Sequence, residues 1–357
     1  MQSTTTGGAP AARILHQQVD FTPVRHWLDY CASHHGETCT AMHRAPVAGF
    51  RVIDCRTRDI VSGTLAGEQT YAALSYVWGS DSTSFLAVTT GDGRLPDDVP
   101  RVVKDAMEAT LQLGFRFLWV DRYCIRQDRP LEKHEQIKKM GDIYEQAVVT
   151  IVAAAGDSGA HGLPGVRDTP RVLYQNITIG DQSLSVASTN VSTRIQQSRW
   201  NTRGWTYQES LLSRRRLVFT DSQVYFQCHS MSCFETLSIH LDDLHDQQSG
   251  RFRDTTLPRV FPTLSPSDPL AHISLWVSQF SRRSFSFESD ALDAFQGILR
   301  VAEAKGWIRG NICGLPLPNR TRADSAALQN FLLWETSPYG KVSRRAEFPS
   351  WSWVGWR

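Results

Sequence analysis

Two acidic side chains lie where the sequence could support bond-breaking chemistry. Asp121 closes the apolar run 117–120, and Glu132 falls in the first turn of the helical segment that follows. A carboxylate at such a place could stabilise an oxocarbenium-like state by its charge, or by holding sugar hydroxyls. We therefore select Glu132 and Asp121 as candidate catalytic residues, with Glu135 as an alternative to Glu132. Both residues also have a structural alternative. Glu132 could simply stabilise the positive end of the helix dipole, and Asp121 could accept hydrogen bonds from backbone N–H groups of the following loop.

Aromatic and polar side chains near the same segments could bind a ligand. Tyr76 and Trp78 would offer flat ring faces, and Gln127 and Asp128 share the loop after Asp121. We assign Tyr76, Trp78 and Gln127 to substrate binding. Core packing is the structural alternative for the two aromatic residues, because their rings bury large apolar areas. Hydrogen bonding to the loop backbone is the alternative for the polar ones.

A third group of candidates lies on a predicted short helix over residues 205–212 and just before it. Arg203 could bind a phosphate through its planar guanidinium, with Trp205 and Glu209 beside it. We place all three among the candidate substrate-binding residues. An internal ion pair between Arg203 and Glu209, with Trp205 in the core, is the structural alternative.

Three potential metal ligands follow one another at helical spacing. Cys31, His35 and Cys39 stand at i, i+4 and i+8, so a continuous helix would place them on one face. A zinc site would need a fourth ligand, for which the candidates are His34, His43 and Cys55. Because the close Cys-x-x-Cys pair of well-characterised zinc sites is missing, we assign no metal ligand and favour buried thiols with a capping His. Cys228 and Cys233 are interpreted as structural.

Composition and motifs exclude several classes of function. The chain has 357 residues, with 38 Lys and Arg against 36 Asp and Glu, which argues against nucleic-acid or membrane-surface binding. The longest apolar run, residues 147–155, is too short to span a bilayer, and no secretory signal is visible. Phosphate-binding loops, a dinucleotide fingerprint and a nucleophile elbow are also missing. We expect a soluble, cytoplasmic protein with reduced cysteines and no resident cofactor.

Strands and helices alternate in the part of the chain that contains these candidates. Apolar runs predict buried strands, and 3.6-residue spacing predicts helices. In chain order, the predicted elements are strand 71–78, helix 100–113, strand 117–120, helix 131–146 and strand 147–153. This alternation is typical of a parallel sheet covered by helices, in which ligands bind at the carboxyl ends of the strands. Those ends are residues 76–79, 121–127 and 156–162.

The flanking regions are predicted to add helices and hairpins. Turn residues at 180–181 and 221–222 predict two hairpins, and residues 245–269 resemble a long loop. Further predicted elements are a helix over 24–39, a strand over 50–54 and helices over 275–280, 291–304 and 326–334. The C-terminal tryptophans are expected to pack back onto the protein.

Four segments together resemble the heterokaryon-incompatibility (HET) domain family of filamentous fungi. They are residues 71–79 (YAALSYVWG), residues 118–128 (LWVDRYCIRQD), the spaced set Glu132, Gln136, Met140, Ile143, Tyr144 and Ala147, and residues 203–209 (RGWTYQE) with Leu211, Ser213 and Arg214. The flanks around Arg51–Asp54 and residues 349–353 are similar to the usual entry to and exit from the domain. The resemblance therefore covers most of the chain.

This resemblance implies a fold and a range of functions. The family is associated with regulated cell death after incompatible hyphae fuse. Its core resembles the Toll/interleukin-1 receptor (TIR) fold, whose members assemble as scaffolds or cleave the nicotinamide–ribose bond of NAD, using a Glu on the helix after the second or third strand. We expect an α/β fold with a TIR/flavodoxin-like parallel sheet and added helices and β-hairpins. The expected organisation is a disordered segment 1–20, an N-terminal helix and strand in 21–70, a core over 71–215 and an α+β extension over 216–357.

The resemblance leaves three functional expectations open. The first is a protein of incompatibility and cell-death signalling that cleaves NAD through a Glu-centred cleft, with Glu132 in the catalytic position. The second is a non-enzymatic module that self-associates. The third is an enzyme of specialised metabolism that acts on another small molecule. The expected partners are accordingly a nucleotide substrate or a second copy of the chain, without nucleic acid or membrane.

Overall fold

The part of the chain that the computed structural model describes contains sixteen strands and ten α-helices. That part comprises residues 11–40, 47–63, 70–79, 93–173, 176–179, 182–185, 191–246, 248–252, 257, 259–262, 268–319, 331–335 and 342–357. The strands are β1 (Ala11–Ala12), β2 (Arg51–Asp54), β3 (Ile60–Ser62), β4 (Tyr71–Ser75), β5 (Phe117–Trp119), β6 (Val149–Ala153), β7 (Asn176–Ile179), β8 (Gln182–Ser185), β9 (Arg215–Phe219), β10 (Val224–Cys228), β11 (Ser232–Phe234), β12 (Leu237–Ser238), β13 (His245–Asp246), β14 (Arg251–Phe252), β15 (Ile308–Ile312) and β16 (Leu315–Pro318). The helices are α1 (Phe21–His34), α2 (Gly36–Cys39), α3 (Arg101–Gln112), α4 (Asp121–Cys124), α5 (Pro130–Gln146), α6 (Val191–Gln197), α7 (Gly204–Leu212), α8 (Leu241–Leu244), α9 (Pro269–Ser281) and α10 (Asp293–Ala304).

Eight of the strands form a central sheet in the order β11-β10-β9-β6-β4-β5-β2-β3. Its four middle strands, β9, β6, β4 and β5, are parallel. If β4, β5, β6 and β9 are numbered 1 to 4 along the chain, their order across the sheet is 2-1-3-4. The flavodoxin-like strand order, 2-1-3-4-5, starts in the same way. The strand order reverses between β4 and β6, and in such sheets ligands bind at the carboxyl ends beside the reversal.

The parallel strands are built from almost continuous apolar runs because both faces of the sheet are covered. All residues of β4, β6 and β9 are buried, as expected for strands between two helical layers. The predicted α/β class and its parallel strands are confirmed. The hairpin predicted around 221–222 is confirmed as β9 and β10. Beyond the expectation, β11 extends this edge and β2 and β3 add antiparallel pairs at the other.

Helix α7 lies in the interior, between the sheet and other helices. Eight of its nine residues are buried, and it packs against α5 and α10. Gly297 of α10 permits this close approach, because a Cβ there would lie 2.4 Å from Gln208 Oε1. The same oxygen accepts a hydrogen bond of 2.7 Å from the Gly297 backbone N–H.

The C-terminal segment packs back onto this helical layer, as predicted. Trp353 is 5% exposed, and its ring lies 5.8 Å from that of Phe280 and 5.3 Å from that of Phe295, measured between centroids. Trp351 is the exception, with 47% of its surface exposed. The end of the chain therefore belongs to the hydrophobic core that it shares with α9 and α10.

Several predicted boundaries need correction. The single helix expected over 24–39 is interrupted at His35, which has a φ of −115° and ψ of 29° and separates α1 from α2. Residues 11–20, expected to be disordered, contain β1 paired with β12, and Val19 donates from its backbone to Gly165. The loop over 245–269 includes the short β13–β14 pair. Strands β7 and β8 form the predicted hairpin, whose turn at 180–181 is outside the described residues, as is most of the predicted helix 326–334.

In the part of the chain that the structure describes, no helix is both long enough and apolar enough to cross a bilayer.

Candidate functional site

Two carboxyl groups converge near the carboxyl edge of the sheet, where the strand order reverses. Ser75 is the last residue of β4, and Asp121 is the first residue of α4, two positions after β5. Glu209 reaches the same place from α7, which connects the third parallel strand to the fourth. The connections after three parallel strands thus contribute to one site.

The Asp121 carboxylate is held by one group from the loop after β4 and one from α4. Trp78 donates its indole N–H to both carboxylate oxygens, at 3.2 and 3.1 Å. The backbone N–H of Arg122 donates to Oδ1 at 2.7 Å. The Arg122 guanidinium lies 5.8 Å from the centroid of the Trp78 ring, within the range of a cation–π contact. Asp121 is therefore fixed in orientation, although the residue itself is only half-buried.

Glu209 is more deeply enclosed and ends a chain of hydrogen bonds. Its residue is 5% exposed. The Trp200 indole N–H donates to Ser75 Oγ at 2.7 Å, and Ser75 Oγ in turn donates to Glu209 Oε2. The position of the carboxyl group is thus determined by one strand end and by the 3₁₀ turn Trp200–Thr202.

Both acidic groups have raised pKa values, and burial is the main cause for each. Burial raises the pKa of Asp121 to about 6, against the opposing effect of its hydrogen bonds and of nearby arginines. Burial raises the pKa of Glu209 to about 8, and the negative charge of Asp121 adds to this rise. At neutral pH, Asp121 is mainly ionised and Glu209 mainly protonated. Environments that separate two carboxyl pKa values in this way are typical of acid–base sites.

Arg203 supplies positive charge to the pair. Its backbone is fixed by a bridge to Ser284 and by a hydrogen bond of 3.1 Å from Arg283 Nη1 to its carbonyl oxygen. Its charge lowers the pKa of both Asp121 and Glu209. No ion pair within 4 Å joins Arg203 to Glu209 among the described residues, so the ion pair considered from the sequence does not form. The half-buried guanidinium is therefore near both carboxyl groups without being paired to either.

Glu132 occupies a different environment. It lies in the first turn of α5, as predicted, and forms an ion pair with Arg129 at 3.0 Å, with 41% of its side chain exposed. Glu135, the alternative, pairs with Lys138 and has 70% of its side chain exposed. No described contact joins Glu132 to the Asp121–Glu209 pair. The two carboxylates chosen as catalytic from the sequence are thus not brought together.

Of the remaining residues predicted to bind a substrate, Tyr76 lies at the site, whereas Gln127 and Trp205 make other contacts. Tyr76 is buried beside the pair, and the Asp121 charge contributes to raising its pKa. Gln127 donates to the Ile125 carbonyl at 3.3 Å, which is the structural alternative considered for it. Trp205 donates its indole N–H to Asp290 at 3.2 Å and packs against the hydrophobic core that contains residues of α9 and α10.

Two members of the site were not predicted. Ser75 is a small polar residue inside an apolar strand, and Trp200 precedes the 203–209 segment. For Ser75 the one available signal is a hydroxyl within a predicted buried strand, which must find a hydrogen-bond partner. Trp200 lies outside every predicted element, and no signal pointed to it. A separate surface cavity of about 360 Å³ lies between the start of α1 and the end of α3. None of the site residues lines it, so it does not serve this pair.

A second cluster contains the residues that could hold a metal. Ligand atoms of Cys31, His35, Cys39 and Cys228 all lie within 4.8 Å of one another, and all four residues are buried. The sequence predicts a structural role for Cys228 and offers His34, His43 and Cys55 as the fourth metal ligand. In the structure, Cys228 occupies the position of the fourth ligand. His34 instead stacks on Tyr30, and Cys55 is not a member of the cluster. His43 is outside the described residues.

Comparison with known proteins finds similarities in the part of the chain that carries the carboxyl pair. Residues 71–209 match the family model described as heterokaryon incompatibility protein (HET). The chain is 28% identical over 159 residues to the heterokaryon incompatibility protein 6, OR allele, of Neurospora crassa, an alignment that covers 39% of this chain and 22% of the relative. It is 29% identical over 154 residues to the vegetative incompatibility protein HET-E-1 of Podospora anserina, covering 43% of this chain and 10% of the relative. The chain therefore spans a small part of both relatives. No solved structure matches it significantly.

Proposed function

We propose that this protein acts in fungal incompatibility and that its Asp121–Glu209 pair cleaves the nicotinamide–ribose bond of NAD. The proposal starts from the match of residues 71–209 to the HET family model. The two relatives carry incompatibility in their names, which supports the biological part. The chemical part rests on one observation, the convergence of half-buried Asp121 and buried Glu209 at the reversal of strand order. The separation of their pKa values supports it.

The position of Glu209 supports the chemical part. The resemblance to TIR domains implies a catalytic Glu on the helix after the second or third parallel strand. Glu132 lies on the helix after the second, and Glu209 on the helix between the third and the fourth. Only Glu209 is near Asp121, as the effect of the Asp121 charge on its pKa indicates. We therefore transfer the proposed role from Glu132 to the Asp121–Glu209 pair.

The proposed reaction uses the ionised member of the pair. The bond between ribose C1′ and the nicotinamide nitrogen breaks, and nicotinamide leaves as a neutral molecule with the bonding electrons. Positive charge then develops on the ribose, and the Asp121 carboxylate stabilises it. Water adds to C1′ and loses a proton, which gives ADP-ribose. Glu209, protonated at neutral pH, would donate a hydrogen bond to the ribose, and Arg203 would bind the diphosphate.

This mechanism predicts a pH profile. The reactive form has Asp121 ionised and Glu209 protonated, so activity should rise through about pH 6 and fall through about pH 8. The two groups interact, and the measured values belong to the pair. A profile that is flat across this interval would contradict the assignment.

The test is incubation of the purified protein with NAD, with release of nicotinamide followed by chromatography. Asp121→Asn removes the charge that stabilises the developing cation and should reduce release at least about 100-fold. Glu209→Leu removes the hydrogen-bond donor to the ribose and should also reduce release. Asp243→Asn, an exposed change on α8, is the matched control and should leave release unchanged. Loss of activity in Glu132→Gln with retention in both site variants would return the role to α5 and refute the present assignment.

A non-enzymatic module is the second candidate, favoured by the 5% exposure of Glu209. In that case Glu209 and Ser75 form a buried polar network that fixes α7 on the sheet, and the signal is transmitted by self-association. This candidate predicts no nicotinamide release from wild-type protein at any concentration, together with a concentration-dependent increase in mass by light scattering. A monomer that releases nicotinamide would refute it.

A further inference from the structure

Three cysteines and one histidine from two distant parts of the chain meet in the interior. Cys31 lies in the last turn of α1, His35 between the helices, Cys39 at the end of α2, and Cys228 at the end of β10. Their exposures are 0% for each cysteine and 3% for the histidine. A total of 193 positions separates His35 from Cys228.

We infer that these four side chains bind a zinc ion as a closed Cys₃His site. Tetrahedral zinc has Zn–S bonds of about 2.3 Å and Zn–N bonds of about 2.0 Å, which place neighbouring ligand atoms roughly 3.5–3.8 Å apart. The observed separation of Cys228 Sγ from His35 Nδ1 is 3.5 Å. All four ligand atoms lie within 4.8 Å, so small rotations of the side chains suffice to close the site.

The break between α1 and α2 makes this geometry possible. On a continuous helix, side chains eight residues apart would be separated by about 12 Å along the axis, since each residue rises about 1.5 Å. His35 leaves the helical conformation, and α2 begins directly after it, with the Cys39 N–H bonded to the His35 carbonyl at 2.8 Å. Cys31 and Cys39 can therefore both reach the same point.

Two of the sulfur atoms accept hydrogen bonds from N–H groups, which would stabilise metal-bound thiolates. The Arg215 Nε–H donates to Cys31 Sγ at 3.0 Å. The backbone N–H groups of Ser230 and Met231 donate to Cys228 Sγ at 3.3 and 3.2 Å. Thiolates are the form of cysteine that binds metals, and several buried thiolates need a compensating cation.

The second nitrogen of the His35 ring has a partner suited to a metal ligand. With Nδ1 directed to the metal, Nε2 carries the hydrogen and donates to His245 Nε2, its neighbour at 2.5 Å. His245 then carries its hydrogen on Nδ1 and donates to the Leu241 carbonyl at 3.3 Å. This assignment of hydrogens satisfies both rings in their neutral forms. An outer partner that fixes the orientation of a ligating histidine is common at zinc sites.

The chemistry of the ligand set points to a structural role. Four protein ligands fill a tetrahedral shell, which leaves no position for water or substrate. Cys228 pairs in the sheet with Arg215, the first residue of β9, so the cluster lies near the amino edge of the parallel strands. The ion would fasten α1 and α2 to the β10–β11 hairpin.

The test is the metal content of the whole purified chain after dialysis against metal-free buffer, measured by plasma mass spectrometry. We expect one zinc per chain in the wild type. Cys228→Ser and His35→Ala should retain less than about a tenth of it, since loss of one ligand weakens binding strongly. Cys233→Ser and Cys55→Ser change buried cysteines outside the cluster and should each keep one equivalent.

A second measurement covers the case in which ligand variants fail to fold. Replacement of the metal by Co²⁺ in folded wild-type protein should give sulfur-to-cobalt charge-transfer bands and the intense visible bands of tetrahedral coordination. Wild-type protein that contains no metal and gives no such bands with Co²⁺ would overturn the inference. So would a disulfide between Cys31 and Cys39 detected by mass spectrometry, because it would remove two of the ligands.

Discussion

Replacing Glu209 with Gln should stabilise the fold by an amount that increases with pH. The pKa of Glu209 is about 8 in the folded protein, against an ordinary value of 4.5. Between these values the folded protein keeps a proton that the unfolded chain releases, so the free energy of unfolding falls as pH rises. Gln does not titrate, and its amide oxygen can still accept the hydrogen bond from Ser75. The free energy of unfolding of the variant therefore does not fall with pH through this group, as that of the wild type does.

The size of the effect follows from this difference in pKa. Within the window each pH unit changes the free energy of unfolding by up to about 1.4 kcal/mol. Between about pH 5.5 and about pH 7.5, the advantage of the variant should therefore grow by up to about 2.7 kcal/mol. Outside the window, the two proteins should respond to pH in parallel.

Urea denaturation followed by tryptophan fluorescence, repeated across this pH interval, measures the difference. Glu132→Gln is the matched control, because Glu132 is a surface carboxylate paired with Arg129, and its difference from wild type should stay constant within about 0.5 kcal/mol. If the curves for wild type and Glu209→Gln stay parallel across the interval, Glu209 is not held protonated. The argument from burial would then fail, and with it the proposed division of roles between the two carboxyl groups.

Three further substitutions test the packing around the site, with urea or thermal unfolding as the measurement. Ser75→Ala leaves the buried Trp200 indole N–H without its acceptor and should cost about 1–3 kcal/mol; an unchanged stability would show that the hydrogen-bond chain is not needed. Gly297→Ala puts a methyl group 2.4 Å from Gln208 Oε1, and a loss of about 1–3 kcal/mol is expected from overpacking. A neutral result would mean that α7 and α10 separate easily. Trp353→Ala should cost about 3–5 kcal/mol, and a smaller loss would place the C-terminal turn outside the cooperative core.

The parallel core was predictable from the sequence because its signals are local. The runs that became β4, β5 and β6 are almost continuously apolar, and the intervening segments have helical spacing. The antiparallel edges were predicted only in part. The turn residues at 221–222 predict the hairpin that β9 and β10 form, whereas the pairing at the other edge could not be predicted in the same way. Which strands pair at the edge of a sheet depends on contacts between distant segments, as in the pairing of β2 with β5. Periodicity contains no information about such partners.

The candidate site was predicted in part for the same reason. Asp121 follows a buried strand, and that position alone indicated the carboxyl edge. Glu209 was selected only as a binding residue, because its enclosure by Ser75 and Trp200 depends on where α7 packs. Cys228 was missed as a ligand since nothing in its own neighbourhood points to α1, far away along the chain.

The carboxyl pair and the cysteine cluster lie at opposite edges of the same parallel strands. Ser75 closes β4 at the carboxyl edge, whereas Arg215 opens β9 at the amino edge and contacts Cys31. A metal at the amino edge can therefore influence chemistry at the carboxyl edge only through the stability of the sheet between them. Removal of the metal by a chelator should lower the midpoint of thermal unfolding, while the protein that remains folded keeps its rate of nicotinamide release. A rate that falls in proportion to the zinc removed, with the protein still fully folded by circular dichroism, would place the metal in the chemistry and refute this separation.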